Sequence, residues 1–91
     1  NDFNQALRVN PQRFESLYLI GNAYFFEKNF KHALAYYDQY LAVDGTNGMV
    51  WYNAAMCHFE NENDQDACHY LERADHYGMV KASAMIKEHC K

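Results

Sequence analysis

Large apolar, small and polar positions recur along this chain with a period of 34 residues. Leu17, Gly21 and Ala33 are followed 34 positions later by Trp51, Ala55 and Ala67. A period of this length is typical of stacked helical hairpins, in which each hairpin buries its apolar face against its neighbours. The pattern therefore predicts an all-α fold, an α-α superhelix of stacked antiparallel hairpins.

Glycine and proline are scarce in this chain, and they fall where the period predicts turns. Asn10 and Pro11 are a cap and a first helical residue, and Asn63 with Asp66 resembles a capping pair. The turn signals predict helices over residues 11–27, 30–43, 48–60, 64–77 and 79–91.

The same lattice predicts how the chain is organised as a single domain, 1–91. Phe3, Ala6 and Pro11 share the phase of Tyr37, Tyr40 and Gly45, so the chain would begin halfway through a repeat, as an excised fragment does. We expect a truncated repeat that contributes its second helix (1–10), two full repeats (11–45 and 46–78) and a C-terminal capping helix (79–91). The unpaired N-terminal edge would expose Phe3 and Leu7 and would allow homo-oligomerisation.

Charge and composition exclude several classes of partner. The net charge is -4, and residues 44–75 hold seven acids against Arg73, which disfavours nucleic acid. The sequence has no apolar run long enough to span a bilayer, so we expect no membrane insertion. Cys57, Cys68 and Cys90 form an odd set without CxxC spacing, which predicts reduced thiols and a cytoplasmic location.

Neither catalysis nor metal binding is predicted, and no cofactor is expected. Cysteine and histidine are adjacent at Cys57–His58 and Cys68–His69, but neighbours on a helix point about 100 degrees apart and cannot share a small ion. His69 and His76 share a helix face but lie two turns apart, which is typical of solvated surface residues. Buried free cysteine often fills a small packing slot, and this is the expected role of Cys57.

These positions resemble the tetratricopeptide (TPR) repeat pattern W-x2-L-G-x2-Y, A-x3-F, then alanine and proline. The first full repeat offers Leu17, Ile20, Gly21, Tyr24, Ala33 and Tyr37, and the second offers Trp51, Ala54, Ala55, His58, Ala67, Leu71 and Ala74. Tyr40 replaces the alanine and His58 replaces the tyrosine of the pattern. The resemblance implies about two and a half repeats whose first helices line a concave surface.

On that surface, helix geometry predicts a floor rich in aromatic and methionine side chains, which suits apolar side chains of a partner peptide. The predicted peptide-binding residues are Tyr18, Asn22, Phe25, Tyr52, Asn53, Met56, Phe59 and Lys87. Ser83 and Ile86 would complete the floor. The function expected from the resemblance is therefore a protein–protein interaction module with a protein or peptide ligand.

Three alternatives stay open. One TPR subgroup clamps chaperone C-terminal carboxylates, but Tyr18 and Ser83 occupy two positions where that subgroup has lysine. Residues 54–58 and 66–68 are similar in texture to type III secretion translocator chaperones of the TPR class. The third alternative is a structural or self-association scaffold segment.

Overall fold

Helices joined by short turns make up the part of the chain that the structure describes. The structure is a computed structural model that describes the backbone of residues 11–90 and the side chains of residues 15–90. Within this part the helices are α1 (Pro11–Phe26), α2 (Phe30–Val43), α3 (Gly48–Glu60), α4 (Asp64–His76) and α5 (Val80–His89). The all-α prediction is confirmed.

The 34-residue period is visible in the backbone of the turns. Lys28 and Glu62, one period apart, both have φ of 64°. The amide of the residue after each one donates to the carbonyl five residues earlier, at 2.9 Å for Asn29 to Tyr24 and 2.8 Å for Asn63 to His58. This left-handed closure ends a helix and starts the next within three residues, so the two helices of each hairpin run antiparallel.

Three helix ends and one helix start differ from the predicted bounds by one or two residues. The left-handed closure at Lys28 ends α1 at Phe26 and not at Glu27, α4 ends at His76 and not at Tyr77, and α5 is Val80–His89 in place of the predicted 79–91. The predicted bounds of α2 and α3 are confirmed.

Each helix packs mainly on the helices next to it in sequence, in the order α1, α2, α3, α4, α5. Two apolar clusters result. The first joins α1, α2 and α3, and the second joins α3, α4 and α5. Such nearest-neighbour packing is the organisation of a helical-repeat solenoid.

Small residues allow close approach within the first hairpin. A Cβ atom on Gly21 would lie 2.8 Å from the ring of Tyr37, which is fully buried. Tyr40 is accommodated too: it is 5% exposed, and its ring meets Tyr18 edge-on at 5.4 Å. The tyrosine at an alanine position of the pattern therefore fills the junction between α1 and α2.

Asparagine precedes α3 and α4, but only one of these two residues caps its helix with its side chain. The side chain of Asn47 accepts hydrogen bonds from the amides of Met49 and Val50 at the start of α3, at 3.1 and 3.4 Å. Asn63 precedes α4 in the same way but makes no side-chain cap hydrogen bond, so the predicted capping pair with Asp66 is wrong. The φ and ψ of Asn63, -105° and 64°, differ from the extended backbone of Asn47.

A disulfide between Cys68 and Cys90 corrects the expectation of three reduced thiols. The two Cα atoms are 5.7 Å apart, and only Cys57 is a free cysteine in the described part of the chain. The antiparallel course of α4 and α5 brings the two residues together, whereas their separation of 22 positions matches no motif. The prediction of a cytoplasmic location loses the support it took from reduced thiols.

The predicted truncated repeat (1–10) and its self-association edge lie outside the described residues. They include Phe3, Ala6 and Leu7. Among residues 11–90, every helix is too short or too polar to cross a membrane.

Candidate functional site

The predicted floor is formed by equivalent positions on α1 and α3. Tyr18 and Phe25 recur one period later as Tyr52 and Phe59, and all four side chains are half-buried. Half-burial places one part of each ring against the helices behind it and leaves the other part accessible. Because neighbouring residues already restrict such a side chain, it loses little conformational entropy when its apolar area contacts a partner.

Packing from α2 supports the rings of the first hairpin. Phe25 meets Phe30 edge-on with ring centroids 5.6 Å apart, and Tyr18 meets Tyr40 in the same manner. Both Tyr18 and Phe25 pack against the first apolar cluster. These contacts with α2 therefore fix the orientation of both rings.

A polar bridge crosses the middle of the floor and joins the two hairpins. The Oδ1 atom of Asn22 accepts a hydrogen bond from the Tyr37 hydroxyl and another from Nδ2 of Asn53, the latter at 3.3 Å. The two asparagines come from α1 and α3, so the structure brings these predicted residues together. The role of Tyr37 as donor was not predicted, because it depends on how α2 packs under α1.

The bridge leaves amide groups that can pair with a peptide backbone. Both lone pairs of the Asn22 oxygen are used, whereas its Nδ2 amino group and the Oδ1 atom of Asn53 have no hydrogen bond among the described residues. One donor and one acceptor therefore lie close together, as a backbone amide and carbonyl require.

Buried groups behind the floor stay protonated. Burial raises the pKa of the Tyr37 hydroxyl, and Cys57 adds to this rise, while the hydrogen bond from Asn53 opposes it. Burial also raises the pKa of the Cys57 thiol to about 12, with Asp38 and Glu60 contributing. Cys57 is fully buried, so its predicted role as a packing residue is confirmed.

The second half of the floor is apolar and continues onto α5. Tyr52, Met56 and Phe59 pack against the second apolar cluster together with Ile86. The ring of Phe59 lies 5.5 Å from that of His89. Predicted residues of α3 and the last turn of α5 therefore share one surface.

Lys87 is exposed on α5, near the end of this surface. Ser83 and Ile86 are half-buried one turn or less away from it. Tyr18 packs on Tyr40 and carries no positive charge that could act together with Lys87. A single exposed lysine attracts an anion weakly in water.

His58 is the most buried polar side chain of the described region, at 8% exposure. Its ring meets Tyr70 edge-on at 4.5 Å, and its two ring nitrogens have no hydrogen-bond partner there. The hydroxyl of Tyr70 donates to Asp38 at 2.8 Å. His58 thus fills the tyrosine position of the pattern through ring packing.

Among the described residues, no group of three or more His, Cys, Asp or Glu side chains is arranged to hold a metal ion. His69 and His76 are exposed on α4, as the sequence predicted, and so is Glu72 between them.

Sequence reasoning missed the Cys68–Cys90 disulfide. The signal that would have found it is the register of the last hairpin: from a turn at 77–79, Cys68 lies nine positions before Tyr77 and Cys90 lies eleven after Met79. Residues at similar distances from a tight turn face each other across two antiparallel helices.

Comparison with known families gives a match to part of the chain. The family model described as Tetratricopeptide repeat matches residues 14–47, a range that contains nearly all of α1, the whole of α2 and the turn that follows. A search of curated proteins gives no match to the chain.

Proposed function

Because the chain belongs to the tetratricopeptide repeat family, we propose that it binds a peptide segment of a partner protein on the surface formed by α1, α3 and α5. Tetratricopeptide repeats generally mediate protein–protein interaction. The observation that carries the finer proposal is the bridge between Asn22 and Asn53, which lies between two sets of half-buried rings.

In the proposed mechanism, the rings bind apolar side chains of the peptide and the amide groups bind its backbone. One or two apolar side chains of the peptide would be buried against Tyr18 and Phe25 on one side and against Tyr52, Met56 and Phe59 on the other. The free amide groups of Asn22 and Asn53 would hold the peptide backbone in register. Aromatic and methionine side chains adapt to apolar residues of differing shape.

Capture of a chaperone carboxylate ranks below apolar peptide binding, because Tyr18 stands where that subgroup has a lysine and is packed on Tyr40. Membership of the family does not specify a translocator-chaperone, adaptor or scaffold role, nor a cytoplasmic location, and these stay predictions. The family is typically non-catalytic, and we propose no enzymatic role.

A displayed library of random peptides, selected on the folded chain, tests this proposal. For a recovered peptide, Tyr52→Ala should weaken binding roughly tenfold or more in calorimetry, as is usual for an aromatic contact residue. Asn22→Ala should weaken it by roughly fivefold, the value of about one hydrogen bond. Circular dichroism should show unchanged helix content in both variants.

Tyr77→Ala is the matched control, because Tyr77 is an exposed tyrosine that lines a separate hollow beside the turns at 44–47 and 77–79. It should leave the affinity unchanged. Equal affinities for the wild type, Tyr52→Ala and Asn22→Ala would show that the peptide binds elsewhere.

A further inference from the structure

We infer that the Cys68–Cys90 disulfide is a redox-controlled latch that holds α5 against the peptide-binding surface, so that reduction weakens peptide binding. The binding consequence rests on the proposed function, whereas the latch itself does not. The oxidised form is the binding-competent form.

The first observation is how little else holds α5. It is ten residues long, and Ala82 is its one fully buried residue. Val80 is 83% exposed, and the N-cap residue Met79 makes no side-chain cap hydrogen bond. Helices of this length are marginal on their own in water, so α5 depends on its attachment to α4 and α3.

The second observation is where the disulfide attaches. The turn at 77–79 fixes the start of α5, and Cys90 follows its last residue. The disulfide therefore fixes the end of α5 that the turn at 77–79 does not hold. Cys68 lies in the first half of α4, so both ends of α5 are anchored to the same helix.

The third observation is what the latched end contacts. His89, next to Cys90, places its ring 5.5 Å from Phe59, and Ile86 packs in the cluster that holds Met56. Release of Cys90 frees the last turn of α5, which carries Ile86 and Lys87. The surface then loses one wall, and a peptide that reaches α5 loses contacts.

Both sulfur atoms belong to half-buried residues, so a thiol reductant can reach the bond. A dithiol attacks one sulfur, the Cys68–Cys90 bond breaks, and the second thiol of the reductant closes its own disulfide. Two electrons and two protons pass to the protein, which then carries two free thiols. The reductant leaves as a cyclic disulfide.

Amide hydrogen exchange on the full chain, oxidised and then reduced with dithiothreitol, tests the latch. Exchange in α5 should accelerate by roughly ten- to a hundredfold on reduction, because the closed loop no longer restrains the open state. Exchange in α2, which lies away from the disulfide, should not change. Equal exchange in α5 before and after reduction overturns the inference, and so does equal acceleration in all helices.

Two variants make the test specific. The double variant Cys68→Ala/Cys90→Ala should show the fast exchange of α5 without any response to dithiothreitol. Cys57→Ala removes the buried free thiol instead, and it should keep the full response of the wild type. A response that persists in the double variant contradicts a latch built from these two cysteines.

A cysteine-free peptide from the library provides the binding measurement. Its dissociation constant should rise by roughly fivefold or more on reduction of the wild type, and not for the double variant. Equal binding in both redox states overturns the control of binding, while the proposed function stands. If the library yields no peptide, the proposed function fails, and the exchange measurement still decides the latch.

Discussion

At the scale of single residues, a close contact in the first hairpin depends on the absence of a side chain. Gly21 is buried against Tyr37, whose hydroxyl extends to Asn22 on the proposed binding surface. The same tyrosine thus fills the space beside a glycine and orients an asparagine. Packing and the candidate site are coupled through one ring.

Gly21→Ala should destabilise the fold by about 1–3 kcal/mol, because its new methyl group would lie 2.8 Å from a ring that is buried on all sides. Gly45→Ala is the control, since its Cβ would lie 3.4 Å from the nearest atom, the Leu41 carbonyl oxygen. Urea unfolding followed by circular dichroism measures both. A Gly45→Ala loss as large as that of Gly21→Ala would contradict this account.

At the scale of elements, most helix bounds were predictable because local chemistry sets them. Turn residues at 27–29 and 61–63 and the polar run at 44–47 are visible in the sequence, and each one ends a helix in the structure. Cap geometry was less predictable. Asn47 and Asn63 are the same residue type at the N-caps of α3 and α4, but only the backbone conformation of Asn47 brings its side chain to the next amides.

Asn47→Ala should therefore cost about 1 kcal/mol of stability, since two amides at the start of α3 lose their acceptor. Asn63→Ala should cost much less, because its side chain makes no cap hydrogen bond. The free energies of unfolding of the two variants, measured side by side in urea, give the comparison. Similar losses would show that the two caps are equivalent in solution.

In the candidate site too, features that local geometry sets were predictable and contacts between helices were not. The faces of α1 and α3 follow from helix geometry, so Tyr18 and Tyr52 were predicted to lie on a common floor. The bridge through Asn22, Asn53 and Tyr37 and the disulfide were not, since both join residues from different helices. Periodicity gives the face of a helix but not which atoms meet across a packed interface.

At the scale of the whole molecule, the interior contains groups that lose protons only at high pH. Burial raises the pKa of Cys57 from 9.0 to about 12, and it raises the pKa of the Tyr37 and Tyr70 hydroxyls above the ordinary value of 10.0. For Tyr70, the hydrogen bond to Asp38 adds to the rise. All three lie in the packed layers between helices.

The folded chain should therefore lose stability in alkali. The unfolded chain releases these protons at their ordinary pKa, so the stabilising contribution is complete below pH 9 and is lost as the pH rises towards 12. The slope should be about 1 kcal/mol per pH unit for Cys57 alone. Urea midpoints at pH 7, 9, 10 and 11 measure it.

Cys57→Ala should reduce the slope of this dependence between pH 9 and 10, because the thiol of the unfolded chain, with an ordinary pKa of 9.0, titrates ahead of the tyrosine hydroxyls at 10.0. An unchanged slope in the variant would assign the alkaline loss to other groups.

Trp51, the one tryptophan of the chain, lies where the two hairpins meet. Its indole Nε1 donates to the Gly45 carbonyl at 2.8 Å, its ring meets Tyr70 at 5.0 Å, and Arg73 lies 5.9 Å above it. Indole emission is sensitive to all three neighbours, which come from the turn at 44–47 and from α4. The molecule therefore contains its own optical reporter, whose emission wavelength and intensity register whether α4 and the turn at 44–47 stay packed against α3.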